Sequence, residues 1–129
     1  MSKPLFTISS GVKFLVSWYK IAETISKHEE KPTAIVTAYA EIGIGLIHEL
    51  INRGISVPDD ISVIARNNIP SCEYAQVPLT CFDLFDQEVA LAATELLYDK
   101  IFKNTNAVKH VVINYQLIER NSVKTIDTK

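Results

Sequence analysis

Short β-branched segments alternate with longer amphipathic segments along this chain, and this alternation most restricts its fold. Residues 33–38 (Thr-Ala-Ile-Val-Thr-Ala) form a strand candidate. They lack the apolar–polar alternation of a strand with one face in solvent, which indicates burial on both faces. Residues 41–53 then carry apolar side chains at helical spacing. Strands separated by helices build parallel βαβ units, so we expect an α/β fold with an open parallel sheet and helices on both faces, a Rossmann-like three-layer arrangement.

The same two periodicities predict secondary structure along most of the chain. Strands are expected at residues 4–8, 33–38, 61–65, 79–82, 111–113 and 116–118, and helices at residues 12–28, 41–53 and, capped by Asp83 or Asp86, to about Phe102. The last helix is expected to face the core with Val89, Ala93, Leu96, Leu97 and Ile101. The two late strands are a hairpin or an addition at a sheet edge, and residues 122–129 are expected to be a frayed tail.

Two glycines interrupt the second helical segment. Gly43 and Gly45 lower its helix propensity, and we expect the compensation to be a close approach to a neighbouring element. Gly54 follows Arg53 as a C-terminal cap, and Pro58 prevents the helix from restarting.

Charge and cysteine content disfavour several classes of function. The net charge is −2 and the 13 Lys and Arg are scattered, so nothing draws the chain to nucleic acid or to an anionic membrane. No apolar run approaches the ~18 residues of a membrane helix, and the start lacks a signal-peptide core, so a cytoplasmic location is expected. Cys72 and Cys81 are expected to be reduced thiols. No His lies near either cysteine in the sequence and no CxxC occurs, so no metal site is expected. No cofactor is expected either.

Ligands of an open parallel sheet bind beyond the carboxyl ends of its strands. The loops that qualify are residues 9–13, 39–41, 66–68 and 83–85. Arg66 is suited to a carboxylate or phosphate, the Asn67 and Asn68 amides to hydroxyls, and Tyr39 to stacking. The alternatives are that the amides satisfy turn backbone, that Arg66 is a solvated charge and that Tyr39 is a packing aromatic.

Catalysis finds little support in the sequence. His28, His48 and His110 lie away from these loops and are expected to be surface or interface residues. No GxSxG, HExxH, P-loop or GxGxxG pattern occurs, so we expect a protein that is not an enzyme.

An ordered series of motifs resembles the lac repressor and gal repressor family. It comprises residues 31–38 (Lys-Pro-Thr-Ala-Ile-Val-Thr-Ala), 49–54 (Glu-Leu-Ile-Asn-Arg-Gly), 55–64 (Ile-Ser-Val-Pro-Asp-Asp-Ile-Ser-Val-Ile), 67–70 (Asn-Asn-Ile-Pro) and 77–80 (Val-Pro-Leu-Thr). The match is to the C-terminal subdomain of the periplasmic-binding-protein-like sensor. The resemblance implies the effector-sensing and dimerisation part of a repressor, a homodimer that contacts DNA only through a separate helix-turn-helix. Residues 1–129 are then expected to be one subdomain, a fragment without that helix-turn-helix or the first sensor subdomain.

The chain departs from the family pattern in the loops that hold the effector. The family's usual Asn-Asp is replaced by Tyr39-Ala40, its Gly-Phe-Asp-Asp by residues 65–68 (Ala-Arg-Asn-Asn), its Gln-Pro by Leu84-Phe85, and its Gly-Asp-aromatic by residues 11–13. By position, the effector residues implied are Lys13, Tyr39, Ala40, Arg66, Asn67, Asn68 and Leu84. Losing a carboxylate that pairs with a sugar hydroxyl costs roughly 1.5–3 kcal/mol. We therefore expect an anionic ligand near Arg66, or no ligand, rather than a simple neutral sugar.

The resemblance also implies a dimer surface. The matching positions are Ile44, Ile47, His48, Ile51, Tyr74 and Val77, with the alternative that Ile47 and Ile51 pack inward on the sheet. Competing functions are a solute-binding protein of a transport system, a regulator remnant that no longer binds a sugar, and a small α/β enzyme. The enzyme is the weakest of these, because the sequence shows no candidate nucleophile or base.

Overall fold

The computed structural model describes residues 17–103 and 107–126. The predicted strand at residues 4–8, the start of the first helix and Lys13 lie outside these ranges. The described elements are α1 (Ser17–Lys27), β1 (Ala34–Thr37), α2 (Ala40–Asn52), β2 (Ser62–Ala65), a 3₁₀ turn (Pro70–Cys72), β3 (Thr80–Asp83), α3 (Asp86–Phe102) and β4 (Gln116–Ile118). The predicted strand at residues 111–113 is wrong, because this segment has no regular structure.

The strands form one sheet in the order β1-β2-β3-β4. β1, β2 and β3 are parallel, with Ile35 opposite Val63 and Ile64 opposite Thr80. β4 runs antiparallel to β3, so the late strand is an addition beside β3 rather than part of a hairpin. The α/β class and the open sheet are confirmed, and the sheet is mixed rather than wholly parallel.

Helix α2 lies in the core, and its close neighbours explain why positions 43 and 45 are glycine. A Cβ on Gly43 would sit 2.9 Å from Leu79 Cδ2 and 3.0 Å from Thr37 Oγ1, and one on Gly45 would sit 2.7 Å from the Trp18 ring. The predicted close approach is therefore confirmed on two sides, toward the sheet and toward α1. The fully buried side chains include Leu46, Ile47, Leu50, Ile61, Val63 and Leu79.

Helix α3 departs from the prediction that it faces the core. None of its residues is buried; Val89, Leu97 and Ile101 are 46%, 59% and 61% exposed. Apolar side chains surround most of this helix, so its own pattern cannot select one inward face. The predicted Asp cap is also wrong: the N-cap is Phe85, in the left-handed region at φ 51°, with no side-chain cap bond.

The predicted frayed tail is instead joined to the sheet as far as Lys124. Ser122 is fully buried; its Oγ accepts the Thr80 N–H at 2.8 Å and donates to Val63 O at 2.6 Å. The Ser122 carbonyl accepts the Val63 N–H at 2.8 Å, and Lys124 N donates to Ser62 Oγ at 3.1 Å. These bonds satisfy backbone groups of β2 and β3, which is why this segment is ordered.

Across residues 17–103 and 107–126, no helix combines the length and apolar character needed to span a membrane.

Candidate functional site

The carboxyl ends of β1 and β2 are joined by Thr37. Its buried hydroxyl donates to Tyr39 O at 3.0 Å and lies 3.4 Å from Ile64 O. The Thr37 carbonyl accepts the Arg66 N–H at 3.2 Å. These bonds hold the loop after each strand against the other, at the edge where the sequence places the ligand site.

Asn67 connects the loop after β2 to the start of α2. Its Oδ1 accepts the Ala40 N–H at 2.6 Å. Tyr39, the N-cap residue of α2, makes no side-chain cap bond of its own, so Asn67 satisfies one of the unpaired amides of the helix start from a distant loop. The amide therefore satisfies backbone, as one alternative proposed, although across the site rather than within its own turn.

Asn68 and Asp83 join the loop after β2 to the end of β3. Asn68 Nδ2 donates to Asp83 Oδ2 at 3.0 Å. Asp83 Oδ1 accepts the Phe85 N–H at 3.0 Å. The Phe85 amide, followed by the Asn68 amide, lowers the pKa of Asp83 below its usual value. Asp83 thus stabilises the approach to α3 instead of capping it.

Arg120 is the residue at this edge that sequence reasoning missed. Its Nη1 donates to Leu79 O at 2.8 Å and to Cys81 Sγ at 3.0 Å, while Nη2 donates to Asn68 Oδ1 at 3.0 Å. No carboxylate pairs with it in the described part of the chain. The local sequence carries no signal for this role, because only the pairing of β4 with β3 brings Arg120 here.

The two cysteines are buried and free. Burial raises the pKa of the Cys81 thiol to about 11; Cys72 adds to the rise and Arg120 opposes it. The thiol lies 3.3 Å from Asn68 Oδ1, within the same hydrogen-bonded group. A thiol held protonated in this way is a packing and hydrogen-bonding group, not a nucleophile.

The structure brings together the three predicted effector loops that it describes, at residues 39–41, 66–68 and 83–85, but exposes their side chains unequally. Arg66 is exposed and Tyr39 is 49% exposed. Asn67, Asn68 and Leu84 are half-buried. Ala40 is fully buried as the first residue of α2, so its side chain shapes the loop and does not meet a ligand.

The predicted dimer residues also separate into groups. Ile47 is fully buried, so its place in a dimer surface is wrong and the inward-packing alternative is right, since the side chain lies inside the core. Ile44, Ile51 and Val77 are half-buried against the core. Tyr74 is 81% exposed, and His48, also exposed, lies 3.1 Å from Gln76 Oε1 through its Nδ1.

The side chains described at this edge of the sheet donate and accept hydrogen bonds. Over the described ranges, no group of three or more His, Cys, Asp or Glu residues is arranged to hold a metal ion. Every buried side-chain polar atom described has a hydrogen-bond partner. What the loops expose is the Arg66 side chain and about half of Tyr39, on a scaffold fixed by hydrogen bonds.

Comparison with known proteins places the chain in a family. Residues 4–123 match the periplasmic binding protein-like domain. The chain is 33% identical over 106 residues to the HTH-type transcriptional repressor PurR of Vibrio atlanticus, covering 82% of this chain and 32% of that protein. It is 30% identical over 106 residues to a lactose operon repressor of Rhizobium radiobacter, covering 82% of this chain and 93% of that sequence.

Solved structures agree with these sequence matches. A transcriptional regulator LacI from Bacillus cereus subsp. cytotoxis is 28% identical with a TM-score of 0.80, over 84% of this chain and 38% of that one. The chain spans about a third of the length of the PurR relatives it matches. The chain therefore belongs to the periplasmic binding protein-like domain family, among the sensor domains of lac repressor-type regulators.

Proposed function

We propose that this chain is the effector-sensing subdomain of a transcriptional repressor of the lac repressor type. The observation that carries the proposal is that hydrogen bonds at Thr37, Asn67 and Asn68 join the three described strand-end loops at one edge of the sheet. Ligands of open α/β sheets bind at this edge. The relatives' names, transcriptional repressors, support the regulatory role. The buried, protonated Cys81 thiol is not available as a nucleophile.

We assign DNA binding to a part of the regulator outside these residues. The net charge of −2 does not favour the phosphates of DNA, and the first relatives are named HTH-type repressors, about a third of whose length this chain covers. A cytoplasmic location follows from this role. The predicted homodimer remains part of the proposal, with Tyr74 and His48 as its exposed members.

We further propose that the effector is anionic. The Arg66 guanidinium is exposed and has no hydrogen-bond or ion-pair partner among the described residues. The Asp83 oxygens are already engaged by Phe85 and Asn68. A cation without a competing carboxylate favours a carboxylate or phosphate group over a neutral sugar.

Thermal unfolding with a panel of neutral monosaccharides, sugar acids and sugar phosphates tests the effector class. At a hundred times its Kd, a bound ligand adds about 2.7 kcal/mol to the free energy of unfolding, which is several degrees in Tm. Arg66→Gln should weaken the anionic ligand by roughly 1.5–3 kcal/mol. Lys31→Gln, which removes an exposed cation near the opposite end of β1, should leave it unchanged.

Two outcomes contradict different parts of the proposal. A neutral monosaccharide that raises Tm by several degrees contradicts the anionic class but not sensing. A genomic reading frame that begins upstream with a signal peptide, rather than with a helix-turn-helix, replaces the regulator with the solute-binding alternative.

A further inference from the structure

Arg120 is a partly buried cation whose side-chain hydrogen-bond partners are all neutral. Its Nη1 donates to the Leu79 carbonyl at 2.8 Å and to Cys81 Sγ at 3.0 Å, and its Nη2 donates to Asn68 Oδ1 at 3.0 Å. Its backbone N–H donates to Thr80 Oγ1 at 2.9 Å. A guanidinium is planar and holds its N–H groups in a fixed fork. Because the backbone at the start of β3 fixes Nη1, the direction of Nη2 is fixed as well.

The Asn68 side chain meets a donor at one end and an acceptor at the other. Its Oδ1 accepts the Arg120 guanidinium, while its Nδ2 donates to Asp83 Oδ2 at 3.0 Å. The pKa of Asp83 lies below its usual value, so this carboxyl is ionised at neutral pH. Arginine has no acceptor atom and an ionised carboxylate has no donor. Turning the amide over would place N–H against N–H and oxygen against oxygen, so its two neighbours permit one orientation.

We propose that Arg120 is a positioning residue, which fixes the Asn68 amide so that the loop after β2 offers a ligand N–H donors and not a carbonyl oxygen. Asn67 has the same polarity through a different contact, because its Oδ1 accepts the Ala40 N–H at 2.6 Å. In both amides the acceptor is therefore used within the protein. Within the described ranges, one Nδ2 hydrogen of Asn68 and both of Asn67 take no part in these hydrogen bonds.

This polarity narrows the class of ligand. With the exposed Arg66, the two amides give the loop after β2 three consecutive side chains that have donors to offer. Ionised carboxylate, sulfate and phosphate oxygens satisfy such donors without bringing a donor of their own, whereas a hydroxyl that accepts from an amide has its own proton still to place. The ligand class deepens the anionic effector proposed above and rests on that proposal. The orientation of Asn68 does not.

The Asp83 carboxyl reports the orientation of Asn68 without any ligand. Its pKa is low because the Phe85 amide, followed by the Asn68 amide, donates to it. Arg120→Met removes the donor that holds Asn68 Oδ1, so the bond from Asn68 to Asp83 should weaken and the Asp83 pKa should rise toward its usual value. An NMR titration of the side-chain carboxyl carbon measures this rise. Lys124→Met, which removes an exposed cation on the same tail, should leave the Asp83 pKa unchanged.

An Asn68→Ala background separates positioning from plain charge. The loss of a nearby cation would by itself raise the pKa of Asp83. In Asn68→Ala there is no amide to position, so adding Arg120→Met should change the Asp83 pKa much less than it does in the wild-type background. A charge effect would be equal in the two backgrounds.

Asn68→Asp tests the same orientation with Arg120 in place, so it remains informative if Arg120→Met does not fold. The new carboxylate keeps an acceptor for the guanidinium but replaces Nδ2 by an oxygen that faces Asp83. Two carboxylates in contact disfavour each other's ionised form, so the Asp83 pKa should rise above its wild-type value. Asn67→Asp is the matched control, because Asn67 uses only its Oδ1, which aspartate retains. It should raise the Asp83 pKa less.

Sulfate, an oxyanion that only accepts hydrogen bonds, tests the polarity itself. In proton–nitrogen correlation spectra, the Nδ2 protons of Asn67 and Asn68 should move downfield with added sulfate. Chloride at equal ionic strength should not move them, because screening alone makes no hydrogen bond.

The two readouts fail separately. An Asp83 pKa that neither Arg120→Met nor Asn68→Asp raises, or that Arg120→Met raises equally in the Asn68→Ala background, overturns the positioning role of Arg120. Amide signals that do not respond to sulfate, while the Asp83 pKa responds as stated, overturn the anionic ligand class and leave the orientation of Asn68 supported.

Discussion

A single hydroxyl, that of Ser122, joins the start of β3 to β2. It is fully buried, accepts the Thr80 N–H and donates to Val63 O. Ser122→Ala leaves a buried donor and a buried acceptor without partners, so we expect the free energy of unfolding to fall by about 1–3 kcal/mol. Urea unfolding measures this loss.

The matched control for Ser122 is Ser71, which is exposed in the 3₁₀ turn. Ser71→Ala should change the free energy of unfolding by less than about 0.5 kcal/mol. Equal effects at the two positions would show that the buried hydroxyl has no special role.

The Cys81 thiol makes stability depend on alkaline pH. Its pKa rises from 9.0 to about 11 on folding, chiefly through burial. Between these values the unfolded chain has lost the proton and the native chain keeps it, so stability falls as pH rises. The contribution is fully present below about pH 8.5 and is lost through pH 11, a change of roughly 2–3 kcal/mol.

Cys81→Ala isolates this effect from the tyrosines and lysines that titrate in the same range. The difference in unfolding free energy between wild type and variant, measured by urea at pH 8 and pH 10.5, should shrink at the higher pH. A difference that stays constant with pH contradicts the prediction.

At the scale of elements, the α1–α2 contact depends on the missing side chain of Gly45. An alanine inside a helix normally stabilises it by about 1 kcal/mol relative to glycine. At Gly45 the new Cβ would meet the Trp18 ring at 2.7 Å, so we expect Gly45→Ala to destabilise the protein by about 1–3 kcal/mol instead. Trp18 is the single tryptophan of the chain, so its fluorescence follows the same contact during denaturation.

A double-mutant cycle gives the control for this contact. In a Trp18→Leu background the ring is gone, and Gly45→Ala should regain its ordinary stabilising sign. If it destabilises equally in both backgrounds, the cause lies elsewhere than in the α1–α2 contact.

The bounds of most elements were predicted well. β1, α2, β2 and β3 lie within about two residues of their predicted bounds, because apolar and β-branched runs mark where each begins and ends. The expected burial of β1 on both faces is wrong, since Val36 is 72% exposed. The predictions failed at α3 and at residues 122–124. α3 is apolar around most of its circumference, and residues 122–124 bond to strands some sixty positions away, so neither carries a local signal for its environment.

At the scale of the molecule, stability is distributed unevenly. The core lies between α1, α2 and the sheet, with Leu46, Ile47 and Leu50 fully buried, whereas α3 contributes no buried residue. A helix without tertiary packing is marginal by itself. Hydrogen exchange at micromolar concentration should therefore be much faster in α3 than in α2, whose amides should open only with the whole fold.

Equal protection of α3 and α2 would contradict the uneven distribution of stability.

The sequence predicted where the candidate site lies, but not which hydrogen bonds its residues make. The carboxyl edge of the sheet and the loops of Tyr39, Arg66 and Asn68 follow from the order of strands and helices alone. The roles of those residues do not: Asn67 caps α2, Asn68 bonds to Asp83, and only Arg66 and Tyr39 remain substantially exposed. Which partner an amide takes depends on the distance between loops, which no single segment encodes.

The alternation of strands and helices is therefore what the sequence by itself determined, and with it the α/β class and the edge where a ligand binds. Local periodicity suffices for this because the repeat of apolar residues distinguishes a helix from a strand within each segment. Only the tertiary structure decided that β4 runs antiparallel to β3 and so delivers Arg120 and Ser122 to the parallel strands. It also decided that the apolar side chains of α3 are exposed, because burial depends on which elements pack against a helix and not on the sequence of the helix itself.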